Sequence, residues 1–275
     1  MWADRESALY WVDIKGEAVH RLSWPDGKRQ SWQVHGQIGA LLPTSDGRFI
    51  GALQDGIHLL TLDPESDRAI ARLLLDPEPD LLDNRFNDAK IGPDGALWAG
   101  TMDDRETDPT GRLYRISGDK ACQVIDDGYV VTNGPAFSPD GALLYHTDTF
   151  KRTIYVFDLD PAGGASNRRV FAQLPEDKGY PDGMTVDCEG CLWVGHWGGW
   201  RLTRFSPEGE PIFELAMPVA NVTSCSFGGD DLKTLFVTTA AKGLSAAERR
   251  AQPAAGDLFA VRLDVAGPPT RYFEW

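Results

Sequence analysis

The chain has 275 residues, of which 42% are hydrophobic, and its formal net charge is -14 at neutral pH. This length is enough for one globular core, and an acidic protein repels phosphate backbones and anionic lipid headgroups. Nucleic acid and a membrane surface are therefore poor candidate partners, and no apolar run is long enough to predict a bilayer-spanning helix.

Short strand-like runs recur along the chain, and each ends in a pair of large apolar or aromatic residues. In chain order, the second members of these pairs are Tyr10, Ile50, Trp98, Tyr145, Trp193 and Phe236, at intervals of about 40 to 48 residues. Most copies follow a turn such as Asp94-Gly95 or Asp140-Gly141, which is a strong hairpin signal. A period of this size indicates an array of repeats.

A second strand-like run follows the first in every copy. These runs are Val19–Leu22, Ile57–Leu60, Leu113–Ile116, Ile154–Phe157, Leu202–Phe205 and Leu258–Val261. The best helical candidate, Leu244–Gln252, is short and is predicted to lie in a loop. Six copies of about four strands each predict an all-β protein, a six-bladed β-propeller in which residues 1–275 form a single domain.

Three polar residues share one position of the repeat. Asn87, Asn133 and Asp182 each lie eight residues before a turn glycine, so a closed ring of repeats directs their side chains toward a common axis. One carboxylate with amide oxygens suits a divalent cation such as calcium, magnesium, manganese, zinc or ferrous iron. The alternative is that these residues only shape turns where the strands begin.

The same position falls on Gly39 in the second copy and near Thr223 or Ser224 in the sixth. Arg85 precedes Asn87 by two residues and in an extended strand points to the same side, where a guanidinium can bind sugar hydroxyls or a carboxylate. The alternative for Arg85 is a surface ion pair with one of the many acidic groups.

Cysteine usage and the N-terminus predict a cytoplasmic location, since four cysteines give no disulfide framework and no leader pattern is present. Cys188 and Cys191 form a C-x-x-C around the turn Glu189-Gly190. No second pair completes a zinc site, so we interpret them as ordinary hairpin residues.

Motifs around the shared position are specific in order and spacing: Arg85-Phe-Asn-Asp88, Thr132-Asn-Gly-Pro135 and Tyr180-Pro-Asp-Gly-Met184. Together they resemble the gluconolactonase, regucalcin and luciferin-regenerating family, and most of all the bacterial sugar-acid lactonases such as xylonolactonases and arabinonolactonases. The likeness covers essentially the whole chain. The family fold, a six-bladed propeller, agrees with the repeat count.

The resemblance implies roles for the shared residues. Asn133 and Asp182 would be metal ligands, Asp182 would also act as general base or acid, and Arg85 and Asn87 would contact the substrate. The family places a further acidic substrate contact just after a Gly-Thr-Met motif, and the candidates at that place are Asp103, Asp104 and Glu106.

One departure from the family concerns the first repeat. The family opens with Gly-Glu-Gly-Pro-x-Trp, whose glutamate is a metal ligand, and Trp2 matches the tryptophan of that motif. The resemblance therefore implies that the strand segment with this glutamate is missing from the sequence as given. Either the sequence is a truncated or mis-started version, or the metal site has one carboxylate fewer than in the relatives, and in both cases we expect a first blade without its innermost strand.

The function expected from the resemblance is metal-dependent hydrolysis of a sugar lactone, such as xylono-, arabinono- or gluconolactone, to the free aldonic acid. No Gly-x-Ser-x-Gly motif is present, which disfavours a serine nucleophile. Two alternatives remain open: a non-catalytic calcium-binding regulatory protein on the same propeller, and a protein-interaction platform. The sequence specifies neither the sugar nor the oligomeric state.

Overall fold

Twenty-three strands form six antiparallel sheets that follow one another around a central axis, in a computed structural model that describes all 275 residues. The innermost strands of the second to sixth sheets contact one another in sequence order, and the first sheet contacts both the second and the last. The predicted six-bladed β-propeller is therefore confirmed. No helix is long and apolar enough to cross a membrane.

From the axis outward, blade one contains β1 (Trp2–Ala3), β2 (Ala8–Asp13), β3 (Ala18–Ser23) and β4 (Arg29–Gln33). Blade two contains β5 (Ile38–Pro43), β6 (Phe49–Leu53), β7 (Gly56–Thr61) and β8 (Ile70–Leu75). Blade three contains β9 (Asn84–Ile91), β10 (Leu97–Asp103), β11 (Gly111–Ile116) and β12 (Cys122–Tyr129).

Blade four contains β13 (Thr132–Phe137), β14 (Leu143–Asp148), β15 (Thr153–Leu159) and β16 (Ala165–Gln173). Blade five contains β17 (Tyr180–Val186), β18 (Leu192–Trp197), β19 (Arg201–Phe205) and β20 (Pro211–Ala216). Blade six has three strands, β21 (Val222–Gly228), β22 (Thr234–Thr239) and β23 (Leu258–Arg262). The helix α1 (Ala246–Ala251) lies between β22 and β23, as predicted, and begins with a capping box from Ser245 and Glu248.

The hydrophobic core lies between the blades. Six buried clusters each join side chains from two adjacent blades, so the ring has one cluster at every blade interface. The large residue that marks each repeat is buried: Tyr10, Ile50, Trp98, Tyr145, Trp193 and Phe236. The repeat that the sequence displays is therefore the packing unit of the ring, because a single blade cannot cover its own apolar faces.

Blade one has a short innermost strand. Trp2 and Ala3 pair with Leu9 and Ala8, so the expectation of no inner strand is corrected to a strand of two residues. Trp2 also stacks on Phe236 of blade six, with ring centroids 6.0 Å apart. This contact closes the ring between its last and first blades.

Candidate functional site

Each inner strand of blades two to six carries a β-bulge, and every bulge falls at or beside the position that the repeat alignment singled out. The unpaired residue is Gly39 in β5, Asn87 in β9 and Thr223 in β21. In β13 and β17 the ladder shifts immediately after Asn133 and around Asp182. Bulges bend a strand and redirect side chains, so the alignment had located the irregular end of each inner strand.

Blade two contributes no side chain at this position because there is no room for one. A Cβ on Gly39 would lie 2.4 Å from the backbone oxygen of Phe86 in the adjacent inner strand. The bulge in β9 has the opposite effect: because Asn87 is unpaired, the usual alternation of the strand is broken there. Asp88, the next residue, then forms its pair with Gly100.

A chain of hydrogen bonds connects the predicted site residues of blades three, four and five. Arg85 donates from a terminal nitrogen to Oδ1 of Asn87 at 2.7 Å, and Asn87 donates from Nδ2 to Oδ1 of Asn133 at 3.1 Å. Asn133 donates to the hydroxyl of Thr149 at 2.8 Å, and Thr149 donates to the carbonyl of Pro181 at 3.0 Å. The chain thus ends at the residue before Asp182.

This series of hydrogen bonds determines the orientation of the side-chain amides of Asn87 and Asn133. Arginine can only donate, so the oxygen of Asn87 must face Arg85, and its nitrogen faces Asn133 and the carbonyl of Thr132. The hydroxyl of Thr149 uses its proton on Pro181, so it must accept from the nitrogen of Asn133. The oxygen of Asn133 is therefore turned toward blade three and keeps one free lone pair.

Asp182 is half-buried and has no ion-pair partner in the protein. Its one hydrogen bond comes from the backbone N–H of Gly183 to Oδ1, at 2.9 Å. Burial raises the pKa of Asp182 to about 8, and the nearby carboxylate of Asp88 also raises it. A partly buried carboxylate without a cationic partner, on the strand next to a preset amide oxygen, fits a divalent cation bound between the two.

Asp88 is a second acidic group at the axis. Burial raises the pKa of Asp88 to about 6, against the opposing effects of Lys90 and of backbone hydrogen bonds. In the sequence this residue is visible only as part of the Arg85-Phe-Asn-Asp88 motif. A strict strand alternation assigns it to the opposite face from Asn87, so the bulge is the signal that sequence reasoning missed.

The structure separates the three acidic candidates that follow Gly100-Thr-Met. The buried carboxylate of Asp103 accepts five hydrogen bonds from its own loop, from Arg105, Thr107 and Asp108, and these hold the pKa of Asp103 well below its usual range despite burial. Asp103 is therefore occupied in shaping the loop. Asp104 accepts from Nε of Arg85 at 2.7 Å, and Glu106 pairs with Lys242 at 2.6 Å.

Asp104 and Arg85 form the rim of the site together. Asp104 also accepts from Lys15 of the β2–β3 turn at 2.7 Å and from Gln37 at 3.1 Å, so three blades meet at this carboxylate. Arg85 is buried, and its second terminal nitrogen has no hydrogen-bond partner in the protein. The residue also lines a cleft of about 280 Å³. The guanidinium thus retains hydrogen-bond donors for a bound molecule.

The mouth of the site lies between loops of opposite blades. Glu106 belongs to the β10–β11 loop of blade three, and Lys242 belongs to the β22–β23 connection of blade six. Blades three and six face each other across a six-bladed ring, so this ion pair crosses the axis. Lys242 also lowers the pKa of Asp182, which opposes the effect of burial.

Comparison with known proteins supplies an independent line of evidence. The family model described as "SMP-30/Gluconolactonase/LRE-like region" matches residues 1–241. A 6-deoxy-6-sulfogluconolactonase from Pseudomonas putida is 35% identical over 268 residues, which cover 97% of this chain and 91% of that protein.

Two solved structures share the fold closely. A luciferin-regenerating enzyme superimposes with a TM-score of 0.94 at 30% identity, covering 100% of this chain and 94% of that one. A calcium-binding protein, regucalcin, from Agrobacterium tumefaciens also superimposes with a TM-score of 0.94, at 27% identity over 100% of this chain and 92% of that one.

Proposed function

Because the chain belongs to the SMP-30/gluconolactonase/LRE-like family, we propose that it hydrolyses a sugar lactone to the free aldonic acid with the help of a divalent metal ion. The single observation that carries this proposal is the hydrogen-bond chain from Arg85 to Pro181. It presets the oxygen of Asn133 next to the strand of Asp182 and leaves Arg85 with a free donor, so the linked residues offer partners to a cation and to a polyhydroxylated ester.

Asn133 and Asp182 would hold the metal ion. A divalent cation bound there supplies a Lewis acid that polarises the lactone carbonyl and stabilises the negative charge that develops on its oxygen. Calcium, magnesium, manganese, zinc and ferrous iron all accept oxygen ligands of this kind.

The protein's own residues supply binding and proton transfer. Arg85 donates from its free terminal nitrogen to substrate oxygens, and its position is held by Asp104 and Asn87. Asp182 takes a proton from the attacking water or returns one to the leaving ring oxygen. The resemblance implied that Asn87 contacts the substrate; because its amide is bonded to Arg85, Thr132 and Asn133, we propose instead that it positions the oxygen of Asn133.

The test is a panel of pentono- and hexonolactones followed by acid release, before and after chelation and with single metals restored. We expect turnover of at least one aldonolactone that chelation abolishes and one metal restores, and that Asp182→Ala and Asn133→Ala both remove. Full turnover in the chelated protein contradicts the role of the metal, and full turnover in both variants contradicts the assignment of the site.

A second candidate is a non-catalytic calcium-binding protein, favoured by the close likeness to regucalcin. The same oxygen ligands would serve it. The two candidates separate cleanly, because this one predicts calcium binding that Asp182→Ala abolishes, together with no hydrolysis of any lactone in the panel under any metal.

A further inference from the structure

His35, Asp55 and His58 form a compact cluster on blade two, away from Asn133 and Asp182. One potential ligand atom from each residue lies within 4.8 Å of the other two. His35 belongs to the β4–β5 connection, Asp55 to the turn between β6 and β7, and His58 to β7. The ring therefore brings together three residues that sequence spacing alone does not associate.

Asp55 lies between the two imidazoles. Its Oδ1 is 2.9 Å from Nε2 of His58, and its Oδ2 is 3.0 Å from Nε2 of His35. Zinc bound tetrahedrally at about 2.0–2.1 Å from nitrogen or oxygen places neighbouring ligand atoms roughly 3.3 Å apart. The three residues thus need only small movements to surround one ion.

Two imidazoles and one carboxylate differ in chemistry from the all-oxygen pair at the axis. Imidazole nitrogen suits zinc, cobalt, nickel and ferrous iron, whereas calcium and magnesium prefer oxygen. We propose that His35, Asp55 and His58 bind one divalent transition metal ion of the zinc class, as a second metal site that is independent of the axial one.

The surroundings leave one coordination position open. His35 and Asp55 are exposed and line the same cleft of about 280 Å³ that Arg85 and Glu78 line, so water or a small ligand reaches the ion from that side. Three protein ligands with one accessible position is the arrangement of exchangeable zinc sites. The bound ion joins the β4–β5 connection to the β6–β7 hairpin at the rim of this cleft.

One feature limits the affinity of the site. The other ring nitrogen of His58, Nδ1, is buried and has no hydrogen-bond partner. A ligating histidine normally donates its second N–H to an acceptor, and loss of such a partner costs about 10–100-fold in metal affinity. We expect moderate binding that high-affinity zinc chelators reverse.

The experiment uses cobalt(II), whose visible absorption is intense in four-coordinate nitrogen-containing sites and weak in six-coordinate oxygen sites. The full chain carrying Asn133→Ala and Asp182→Ala, which removes the axial ligands, is titrated with cobalt after a check of its fold by circular dichroism. We expect one cobalt ion per chain with the intense spectrum, displaced by zinc and not by calcium.

Three histidine variants in that background decide the assignment. His35→Gln and His58→Gln should each remove the intense spectrum. His20 lies on β3 and forms a side-chain hydrogen bond with Ser31, so His20→Gln should leave the spectrum unchanged. His35 is exposed, so His35→Gln tests the site even if the buried His58→Gln misfolds. Absence of the intense spectrum, or its persistence in His35→Gln, overturns the proposal.

A second readout is thermal stability. Zinc should raise the Tm of the chain carrying Asn133→Ala and Asp182→Ala by a few degrees, because an ion that binds only the folded state stabilises it, and adding His35→Gln should abolish this rise. An equal rise in Tm with and without His35→Gln overturns the proposal that the ion joins the β4–β5 connection to the β6–β7 hairpin. The lactonase assay is not involved, so neither result depends on the proposed function.

Discussion

Asn87 of blade three donates a hydrogen bond from Nδ2 to Oδ1 of Asn133 in blade four, at 3.1 Å. This contact joins two inner strands at the bulged position that both share. It makes Asn87 a positioning residue for the amide oxygen of Asn133, whereas the oxygen of Asn87 itself is committed to Arg85.

Asn87→Leu should therefore impair the site, although Asn87 itself does not contact the reacting atoms. The variant leaves Arg85 without one acceptor and Asn133 without its donor, at a cost of about 1–3 kcal/mol for unsatisfied polar groups. We expect a loss of about 10–100-fold in kcat/KM together with weaker metal binding, measured by lactone hydrolysis and metal titration. Thr203→Ala, at a buried threonine of β19 outside the inner strands, is the control, and an equal loss there would contradict the assignment.

Arg85→Lys should raise KM more than it lowers kcat. Lysine keeps the positive charge but cannot contact Asp104, Asn87 and a substrate oxygen together, because its three donors share one nitrogen. We expect a loss in kcat/KM of about 10-fold or more, measured by steady-state kinetics. Arg105→Lys, an exposed arginine of the neighbouring loop, should be unaffected. Wild-type kinetics in Arg85→Lys would mean that the free guanidinium nitrogen binds no substrate.

Asp182→Asn should stabilise the metal-free protein above pH 4. The pKa of Asp182 is about 8 in the folded chain against 3.8 for the unfolded reference, so the ionised carboxylate is disfavoured by folding. The wild type accordingly loses stability as pH rises from about 4 to 8, and the amide variant avoids this loss. In urea unfolding with chelator, the midpoint of the variant should be higher than that of the wild type at pH 7.5. At pH 4 the two midpoints should be equal.

Restoring the metal should reverse that order. A bound cation stabilises the ionised carboxylate of the wild type, whereas the neutral amide of asparagine binds the cation more weakly. The unfolding midpoint of the wild type should therefore rise with metal, and that of Asp182→Asn should change less. Equal midpoints for both proteins at pH 7.5 in chelator would show that Asp182 is not penalised by burial.

Lys242→Met and Glu106→Gln should affect substrate retention more than stability. Lys242 is exposed and Glu106 is partly exposed, and ion pairs at the surface contribute about 0–1 kcal/mol, so the unfolding midpoint should barely move. Loss of the contact across the mouth should raise KM several-fold with little change in kcat. The double variant should resemble either single one, and Lys28→Met, at an exposed turn, is the control. Additive effects in the double variant would mean that the pair does not act as a unit.

The repeats in the sequence were sufficient to predict the fold and the position of the site on the inner strands. The repeated large residues had to be buried between blades, because each blade exposes two apolar faces, and this gave the blade count. The same period located Gly39, Asn87, Asn133, Asp182 and Thr223 at equivalent positions, all of which lie at or beside a bulge in an inner strand.

Which groups contact one another could be seen only in the folded chain. The separation of Asp103 from Asp104, the orientation of the two amides and the cluster of His35, Asp55 and His58 all depend on hydrogen bonds and approaches between segments from different parts of the chain. Periodicity assigns a residue to a face of a strand, but the loops and bulges at the strand ends break that periodicity. Their geometry follows from closure of the ring, which no local pattern encodes.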